Sequence, residues 1–322
     1  METKQNIFTR PVFIVLCAVV VTALWGSATP AIKVGYEMFH IEAGDIPTKM
    51  LFAGVRFTLA GIMVLLIGFL TRRPMIPKKE DWVPVTVLGG LQTTLSYIFF
   101  YIGLTYTTGA KGSLFSSVNA FIVVLIAPLI YKNEHWTLKK LLGCVLGFAG
   151  LYLVTTGGEG GSLAGFHVMG EGFVLLSSAC GAAGSLYTKH ISKNRDSVML
   201  TAWQLTIGGF VLMLIGLVTG GHLQMPGFSA MLLLGYMALL SAVAFGLQTQ
   251  LIRYNSVSKI TFYNLLIPLF GTVLSGIFLH ENILTITNLL ALLLVCTGIG
   301  VVNYQRQNRK TTIQGGKENA VH

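Results

Sequence analysis

Charged residues are scarce in this chain: they make up 11% of its 322 residues, whereas hydrophobic residues make up 53%. Soluble domains carry a charge on roughly a quarter of their residues, so this composition excludes an ordinary globular protein. Apolar stretches long enough to cross a hydrocarbon core about 30 Å thick recur along the sequence. The chain is therefore predicted to be an all-α membrane protein.

Motifs for catalysis, nucleotide binding and metal binding are also missing. There is no glycine-rich loop ending in Lys-Ser or Lys-Thr, no His-Glu-x-x-His, and no Cys or His cluster with metal-ligand spacing. The four cysteines lie in apolar segments, where they are expected to be small packing residues and not disulfide partners. The sequence thus predicts no enzyme activity, no catalytic residue, no metal and no cofactor.

Acidic residues number only 12, and they lie in tails, in loops or near the ends of apolar segments. Glu171 is the deepest of them. Proton or sodium relays usually place a carboxylate near mid-membrane, so substrate exchange or uniport is as well supported as proton antiport.

The chain does contain ten apolar stretches, arranged as two similar halves about 148 positions apart. Residues 56–71 align with residues 204–219, and six of the sixteen pairs are identical. Because five spans are an odd number, the second half must enter the membrane from the opposite side. Inverted repeats of this kind are typical of carriers that work by alternating access. The predicted spans are 12–34, 48–70, 83–104, 108–131, 137–156, 167–189, 197–218, 229–252, 257–279 and 284–304.

These spans divide the chain into a five-helix repeat over 1–156, a second one over 157–304 and a polar tail over 305–322. The glycine-rich stretch 157–161 is predicted to be a flexible joint between them. With a cytoplasmic N-terminus, eighteen of the 22 Lys and Arg residues fall on the cytoplasmic side, as the positive-inside rule requires. The excess positive charge therefore follows from topology and does not indicate nucleic acid. We expect a multi-pass protein of the cytoplasmic membrane with both termini inside, in contact with lipids and a small-molecule substrate, with a homodimer left open.

Several short features carry a family likeness. Leu24-Trp25-Gly26-Ser27 lies in the first span, which Lys33 closes, and acidic residues Glu134 and Glu281 follow the fourth span of each half. Pro268 precedes Glu281 by thirteen residues, whereas Pro128 precedes Glu134 by only six, so the first half departs from the pattern. In these features the chain resembles the EamA-type transporters of the drug/metabolite transporter superfamily. The resemblance implies export or exchange of small metabolites, amino acids among them.

Arg56 is the first candidate for a substrate-binding residue, because it lies roughly 12 Å from the outer end of its helix. A central Arg costs about 2.5 to 3.5 kcal/mol on insertion scales, so it should face a cavity or a partner. We consider it an anchor for a carboxylate or phosphate, or alternatively a structural residue satisfied by carbonyl groups. The second half has Gln204 at this position, which predicts a cavity that is positive on one side only.

Other polar and aromatic side chains within the spans are candidates for the same site. Amides can hydrogen-bond a substrate or tie helices together, and aromatic rings can face a substrate or pack in the core. Lys111 and Lys259 begin the fourth and ninth spans, on opposite sides of the membrane. They either line the two entrances to the cavity or extend their side chains to the membrane surface without a role in transport. The remaining candidate substrate-binding residues are Trp25, Gln92, Tyr97, Tyr101, Asn119, Trp203, Gln248, Tyr263 and Asn264.

Together these features favour a secondary transporter that moves a small polar metabolite, such as an amino acid, by alternating access. A lipid or amphiphile flippase on the same scaffold is the nearest alternative. A non-transporting membrane sensor is a third reading, although the chain has no evident soluble output domain.

Overall fold

The computed structural model describes residues 6–107, 112, 115–156, 166–224, 227–279, 286–287 and 289–302. Within these ranges the chain forms helices and no strand, which confirms the predicted all-α class. Lys111, Glu281, the predicted joint at 157–161 and the tail over 305–322 lie outside the described residues.

Ten helical segments follow one another in the described ranges, and each overlaps one of the predicted spans. Five of them, α1, α2, α3, α7 and α8, are long and apolar enough to cross a membrane. The segments are α1 Pro11–Met38, α2 Ile46–Leu70, α3 Lys79–Tyr106, α4 Val118–Ile130, α5 Leu138–Thr156, α6 168–191, α7 Ser197–Val218, α8 Phe228–Tyr254, α9 257–279 and α10 Leu289–Val302.

Polar side chains just before the first turn fix where three of these helices begin. Asp45 accepts a hydrogen bond from Thr48 N at the start of α2, and Asp196 accepts from Val198 N and Met199 N at the start of α7. Ser256 accepts from Lys259 N at the start of α9. Each cap satisfies amide groups that have no partner within the helix, so these ends are specified locally.

Two helices change their winding in the middle. α3 passes through a π-helical turn at Gly90–Leu95, and α9 through a 3-10 turn at Tyr263–Leu266. The turn in α9 lies just before Pro268, whose ring crowds the carbonyl four residues earlier and which has no N–H to donate. Pro128 lies in the last turn of α4, which ends at Ile130. The two halves therefore differ at these prolines.

The helices α2 and α7, which occupy equivalent positions in the two halves, pack antiparallel to each other at very close range. A Cβ atom added to Gly61 would lie 2.5 Å from Thr206 N, and one added to Gly209 would lie 2.5 Å from Thr58 N. Thr58 corresponds to Thr206 and Gly61 to Gly209 in the sequence alignment of the halves. The same threonine–glycine contact is therefore made twice, in opposite directions.

The helices α5 and α10 repeat this relationship. A Cβ atom at Gly143 would lie 3.0 Å from Gly298 O, and one at Gly150 would lie 2.8 Å from Ala291 O. The offset between the halves pairs Gly143 with Ala291 and Gly150 with Gly298. This second pair of contacts is thus also related by exchanging the two halves.

Four helices, α2, α3, α7 and α8, form one contacting group, and the region where they meet is its centre. Besides its contact with α7, α2 packs against α8, while α7 packs against α3 and α8. α1 lies against α8 and α9, and α6 lies against α3 and α4. Side chains on α2, α3, α7 and α8 are therefore the ones that can meet at the centre.

Candidate functional site

Arg56 lies at this centre, on α2, with only 1% of its surface exposed. Its Nε atom donates hydrogen bonds to Ser241 Oγ at 2.9 Å and to Met237 O at 3.3 Å, both on α8. Its Nη2 atom is buried and has no hydrogen-bond partner among the described residues. The guanidinium group thus donates hydrogen bonds from Nε, whereas its Nη2 atom, called the open atom below, has no acceptor in the described part of the chain.

The ring of Phe57 lies beside this guanidinium group and links it to further aromatic rings. Its Cζ atom lies 5.0 Å from the centroid of the Phe57 ring, which packs on Tyr97 at 4.6 Å between centroids. Tyr101 packs on Tyr97 at 6.0 Å and is 4% exposed. The hydroxyl groups of Tyr36, Tyr97 and Tyr101 lie within electrostatic reach of Arg56. The structure therefore brings Tyr97 and Tyr101 together with Arg56.

Trp25 belongs to the same cluster, where α1 meets the second half. Its ring packs edge-on against Phe245 of α8, with 4.9 Å between centroids, and Phe245 in turn contacts Phe57. Trp25 is only partly buried, so its indole retains accessible surface. Residues from both halves thus form one connected aromatic lining that meets the Arg56 guanidinium group at Phe57.

Gln204, the counterpart of Arg56, is fully buried on α7. Neither its Nε2 nor its Oε1 atom has a hydrogen-bond partner within the described part of the chain. Thr93 on α3 is also fully buried, and its Oγ1 atom is likewise without a partner there. Most buried polar groups in proteins are satisfied, so these open atoms call for an explanation.

Two of the other predicted amides tie helices together. Gln92 lies in the π-helical turn of α3, where its Oε1 atom accepts a hydrogen bond of 3.5 Å from Thr188 Oγ1 of α6. Asn119 on α4 donates from Nδ2 to Ser178 O of α6 at 3.2 Å. Gln248 is buried on α8, 7% exposed. The three amides therefore lie on separate helices, and two of them bond α6.

Trp203 belongs to the same core cluster as Tyr97 and Tyr101 but bonds a loop, whereas Tyr263 and Asn264 lie on α9. The indole nitrogen of Trp203 donates to Met75 O in the loop between α2 and α3, at 2.7 Å. Tyr263 and Asn264 occupy the 3-10 turn of α9, and Tyr263 belongs to a core cluster distinct from that of Tyr97 and Tyr101. Their assignment to the substrate site stays a prediction.

Sequence reasoning missed several residues that contribute to the site, notably Tyr36, Phe57, Thr93, Ser241 and Phe245. Serine and threonine in apolar helices usually bond their own backbone, as Ser241 Oγ does by donating to Met237 O at 2.8 Å. One signal was available, because the offset between the halves pairs Thr93 with Ser241. Equivalent polar residues at equivalent depths are a reason to look for a shared role.

Charged side chains form ion pairs and hydrogen bonds at the end of the bundle where α7 begins. Arg195 Nε lies 2.6 Å from Asp81 Oδ1, and Arg73 Nη1 lies 3.1 Å from Asp196 Oδ2. Arg253 of α8 donates from Nη1 to Arg195 O at 2.9 Å. These contacts join the start of α3, the loop before α7 and the end of α8.

Glu134, the acidic residue after α4, lies at the same end and is 6% exposed. Its Oε2 atom lies 2.8 Å from Lys140 Nζ, and its Oε1 atom accepts a hydrogen bond from Ser256, the residue that caps α9. Burial opposes ionisation of this carboxyl group, but the hydrogen bonds from Lys140 and Ser256 hold its pKa below the ordinary value. Lys259, the other candidate entrance residue besides Lys111, lies in the first turn of α9 beside this cap.

Other possible sites are poorly supported in the described ranges. They contain no group of three or more metal-ligating side chains, and their four cysteines are free thiols. A surface groove of about 470 Å³ lies between α4 and α5 and is lined almost entirely by apolar atoms. It contains none of the predicted substrate-binding residues. Arg56 and its surroundings are therefore the best candidate site.

Comparison with known proteins bears on what such a site does. The model of the EamA-like transporter family matches residues 12–156 and 168–304. The uncharacterized transporter YvbV of Bacillus subtilis is 33% identical over 84% of this chain and 88% of its own length. The uncharacterized inner membrane transporter YedA of Escherichia coli is 28% identical over 79% of this chain and 80% of its own. One crystal structure aligns with a TM-score of 0.77 at 15% identity, covering 93% of this chain and 99% of its own, which shows a shared fold.

Proposed function

Because the chain belongs to the EamA-like transporter family and is thus a multi-pass membrane transporter, we propose that it is a secondary transporter of a small polar metabolite. The substrate is an amino acid or a related compound that carries an anionic group, and the protein exports or exchanges it across the cytoplasmic membrane. The observation that carries this proposal is the open Nη2 atom of Arg56, buried at the centre of the bundle.

A buried cation with an unused donor is costly unless something pairs with it. No carboxylate is bonded to Arg56 among the described residues. A substrate carboxylate or phosphate would supply the missing acceptor, and a charged hydrogen bond contributes about 1.5 to 3 kcal/mol. The rings of Phe57, Tyr97 and Trp25 would face the rest of the molecule.

The packing of the halves supports alternating access. Contacts between α2 and α7, and between α5 and α10, are each made twice in opposite directions. This is the relationship expected of inverted repeats that exchange roles when a site opens to the other compartment. We propose accordingly that all ten helical segments cross the membrane and that both termini are cytoplasmic.

The test begins with an untargeted metabolite comparison of cells with and without the protein, followed by uptake of the identified compound into proteoliposomes. Arg56→Gln keeps hydrogen-bond donors while removing the charge, and it copies the residue of the second half. We expect it to fold and to raise the apparent dissociation constant about tenfold or more. Lys132→Gln, which removes a charge from an exposed loop residue, is the matched control and should change nothing.

A different outcome would assign Arg56 a structural role. In that case Arg56→Gln would lower the melting temperature of the purified protein, while the folded fraction would transport with normal affinity. The predicted charge recognition would then be wrong, and Gln92, Asn119 and Gln248 would become the main candidates.

A further inference from the structure

The place in the second half that corresponds to Arg56 is as deeply buried but carries no charge. Gln204 and Thr93 are both 0% exposed there. Three of their polar atoms, Gln204 Nε2, Gln204 Oε1 and Thr93 Oγ1, have no hydrogen-bond partner among the described residues. Each such atom has lost its contact with water without a replacement, so three of them at one helix interface require a reason.

Close packing of α3 on α7 places Thr93 against Gly208 and Gly89 against Gln204, so Gln204 and Thr93 lie on neighbouring turns of the interface. A Cβ atom at Gly208 would lie 2.6 Å from Gly89 O and 2.7 Å from Thr93 Cβ. Thr94 Oγ1 donates to Gly208 O at 3.0 Å, which fixes the register of the two helices. Gln204 precedes Gly208 by one helical turn, about 5.4 Å along α7.

The arrangement is the counterpart of the Arg56 site. The offset that pairs Arg56 with Gln204 also pairs Ser241 with Thr93. In the Arg56 site the side chain bonds its partner, Nε to Ser241 Oγ at 2.9 Å. In the other site Gln204 and Thr93 bond neither each other nor any other described residue. Two equivalent pairs of buried polar residues therefore occur, and only one of them includes a charged residue.

We propose that Gln204 and Thr93 form a second subsite, which binds a neutral hydrogen-bonding group of the substrate while Arg56 binds its carboxylate. This proposal rests on the proposed function. The amide of Gln204 offers a donor and an acceptor, and the hydroxyl group of Thr93 can act as either. A second charge on the substrate would find no opposite charge bonded to these two residues.

The antiparallel packing also sets the approximate length of the substrate. Gly54 faces Met213 and Thr58 faces Gly209, so Arg56 lies at a level between Met213 and Gly209 on α7. Gln204 is therefore about two turns away, or about 10 Å along the helix axis. The two long side chains shorten the gap that a ligand must span. The substrate class is an elongated monocarboxylate, amino acids included, with an amide, hydroxyl or carbonyl group at its far end.

Thermal unfolding of the detergent-purified protein tests this class directly, because a ligand that binds the folded state raises the melting temperature. The probes are L-glutamine, L-norleucine and L-glutamate, which share the amino-acid head and end in an amide, a methyl group and a carboxylate. We expect the wild type to be stabilised in that order, most by L-glutamine.

Gln204→Leu removes two of the open polar atoms and preserves the approximate volume. Without a probe its melting temperature should equal or exceed that of the wild type, because Leu leaves no unpaired polar atom. The preference should then change, with L-norleucine stabilising the variant at least as well as L-glutamine. Thr93→Val should reduce the preference for L-glutamine in the same direction. Arg56→Gln should weaken the response to all three probes alike.

The outcomes separate this proposal from the one it rests on. One outcome is that Arg56→Gln reduces the stabilisation by all three probes while Gln204→Leu leaves the order of the probes unchanged. In that case the carboxylate site is supported and the second subsite is wrong. Gln204 and Thr93 would then bond water or each other. If the probes raise the melting temperature of the wild type and of Arg56→Gln equally, the proposed function of Arg56 is wrong. If no probe stabilises the wild type, the proposed substrate class is wrong.

Discussion

Ser256 Oγ, just before α9, donates a hydrogen bond to Glu134 Oε1, in the loop that follows α4. The acidic residue that follows the fourth helix of the first half therefore supports the cap of the ninth helix, in the second half. Lys140 Nζ completes the arrangement at 2.8 Å from Glu134 Oε2. The feature that carried part of the family resemblance thus acts as a tie between the two halves.

Glu134→Gln should weaken this tie, because it removes the charge that pairs with Lys140. We expect a loss of about 1 to 3 kcal/mol, seen as a lower melting temperature of the purified protein. Lys132→Gln, in the loop just before Glu134, removes the charge of an exposed residue and serves as the control. Equal melting temperatures for the two variants would show that the tie contributes nothing.

The same carboxyl group predicts a pH dependence. Since its pKa is lower in the folded protein than its ordinary value of 4.5, the stability it contributes is fully present above that value. This contribution is lost as the pH falls from there through the folded pKa. The melting temperature of the wild type should therefore fall more steeply than that of Glu134→Gln below about pH 4.5. Parallel curves would contradict the prediction.

Gly209→Ala should disrupt the contact between α2 and α7, because the added methyl group would meet Thr58 N at 2.5 Å. Overpacking of this kind costs about 1 to 3 kcal/mol. Gly246→Ala on α8 places the same methyl group where nothing lies within 4 Å, and it should be neutral or stabilising by up to about 1 kcal/mol. Thermal unfolding of both variants distinguishes tight packing from a general intolerance of alanine.

Trp203→Phe separates the two parts of this side chain. It keeps a ring but removes the N–H group that donates to Met75 O. We expect a loss of about 1 kcal/mol in stability with an unchanged apparent affinity for the transported compound. A weaker affinity at normal stability would show that the indole nitrogen contacts the substrate instead.

Thiol labelling tests the orientation of the chain. In a background without Cys17, Cys144, Cys180 and Cys296, single cysteines replace Gly44, between α1 and α2, or Lys78, between α2 and α3. An impermeant reagent added to intact cells should label Gly44→Cys and should reach Lys78→Cys only after permeabilisation. Labelling of both positions from the same side of the membrane would refute the proposed topology.

The helices could be predicted from the sequence because a long apolar run is a local property that composition alone reveals. Pro268 is a local sequence signal for the 3-10 turn in α9, since a proline in a helix perturbs the turn before it. Arg56 stood out in the same way, as a single charge in an apolar run. These features need no knowledge of the neighbouring helices.

The partners of Arg56 could not be predicted in this way. Ser241 is separated from it by 185 positions, and a serine in an apolar helix is unremarkable until the opposite helix is known. Trp203 illustrates the converse, because its sequence position was compatible with a substrate contact or with core packing and did not indicate the hydrogen bond to Met75 that the structure shows. What was missing in both cases is the rotation of each helix about its axis, which only packing decides.

The paired contacts Thr58–Gly209 and Gly61–Thr206 mean that α2 and α7 meet through a surface that is complementary to itself. In such an isologous contact both segments use the same surface, so no second, different surface is needed. The contact is also closed, because it pairs two segments and does not build an open filament. Each half can also acquire substitutions that its twin lacks, because every exchange alters one of two equivalent places. Arg56 and Gln204 occupy two such equivalent places, both buried, of which one carries a charge and the other does not.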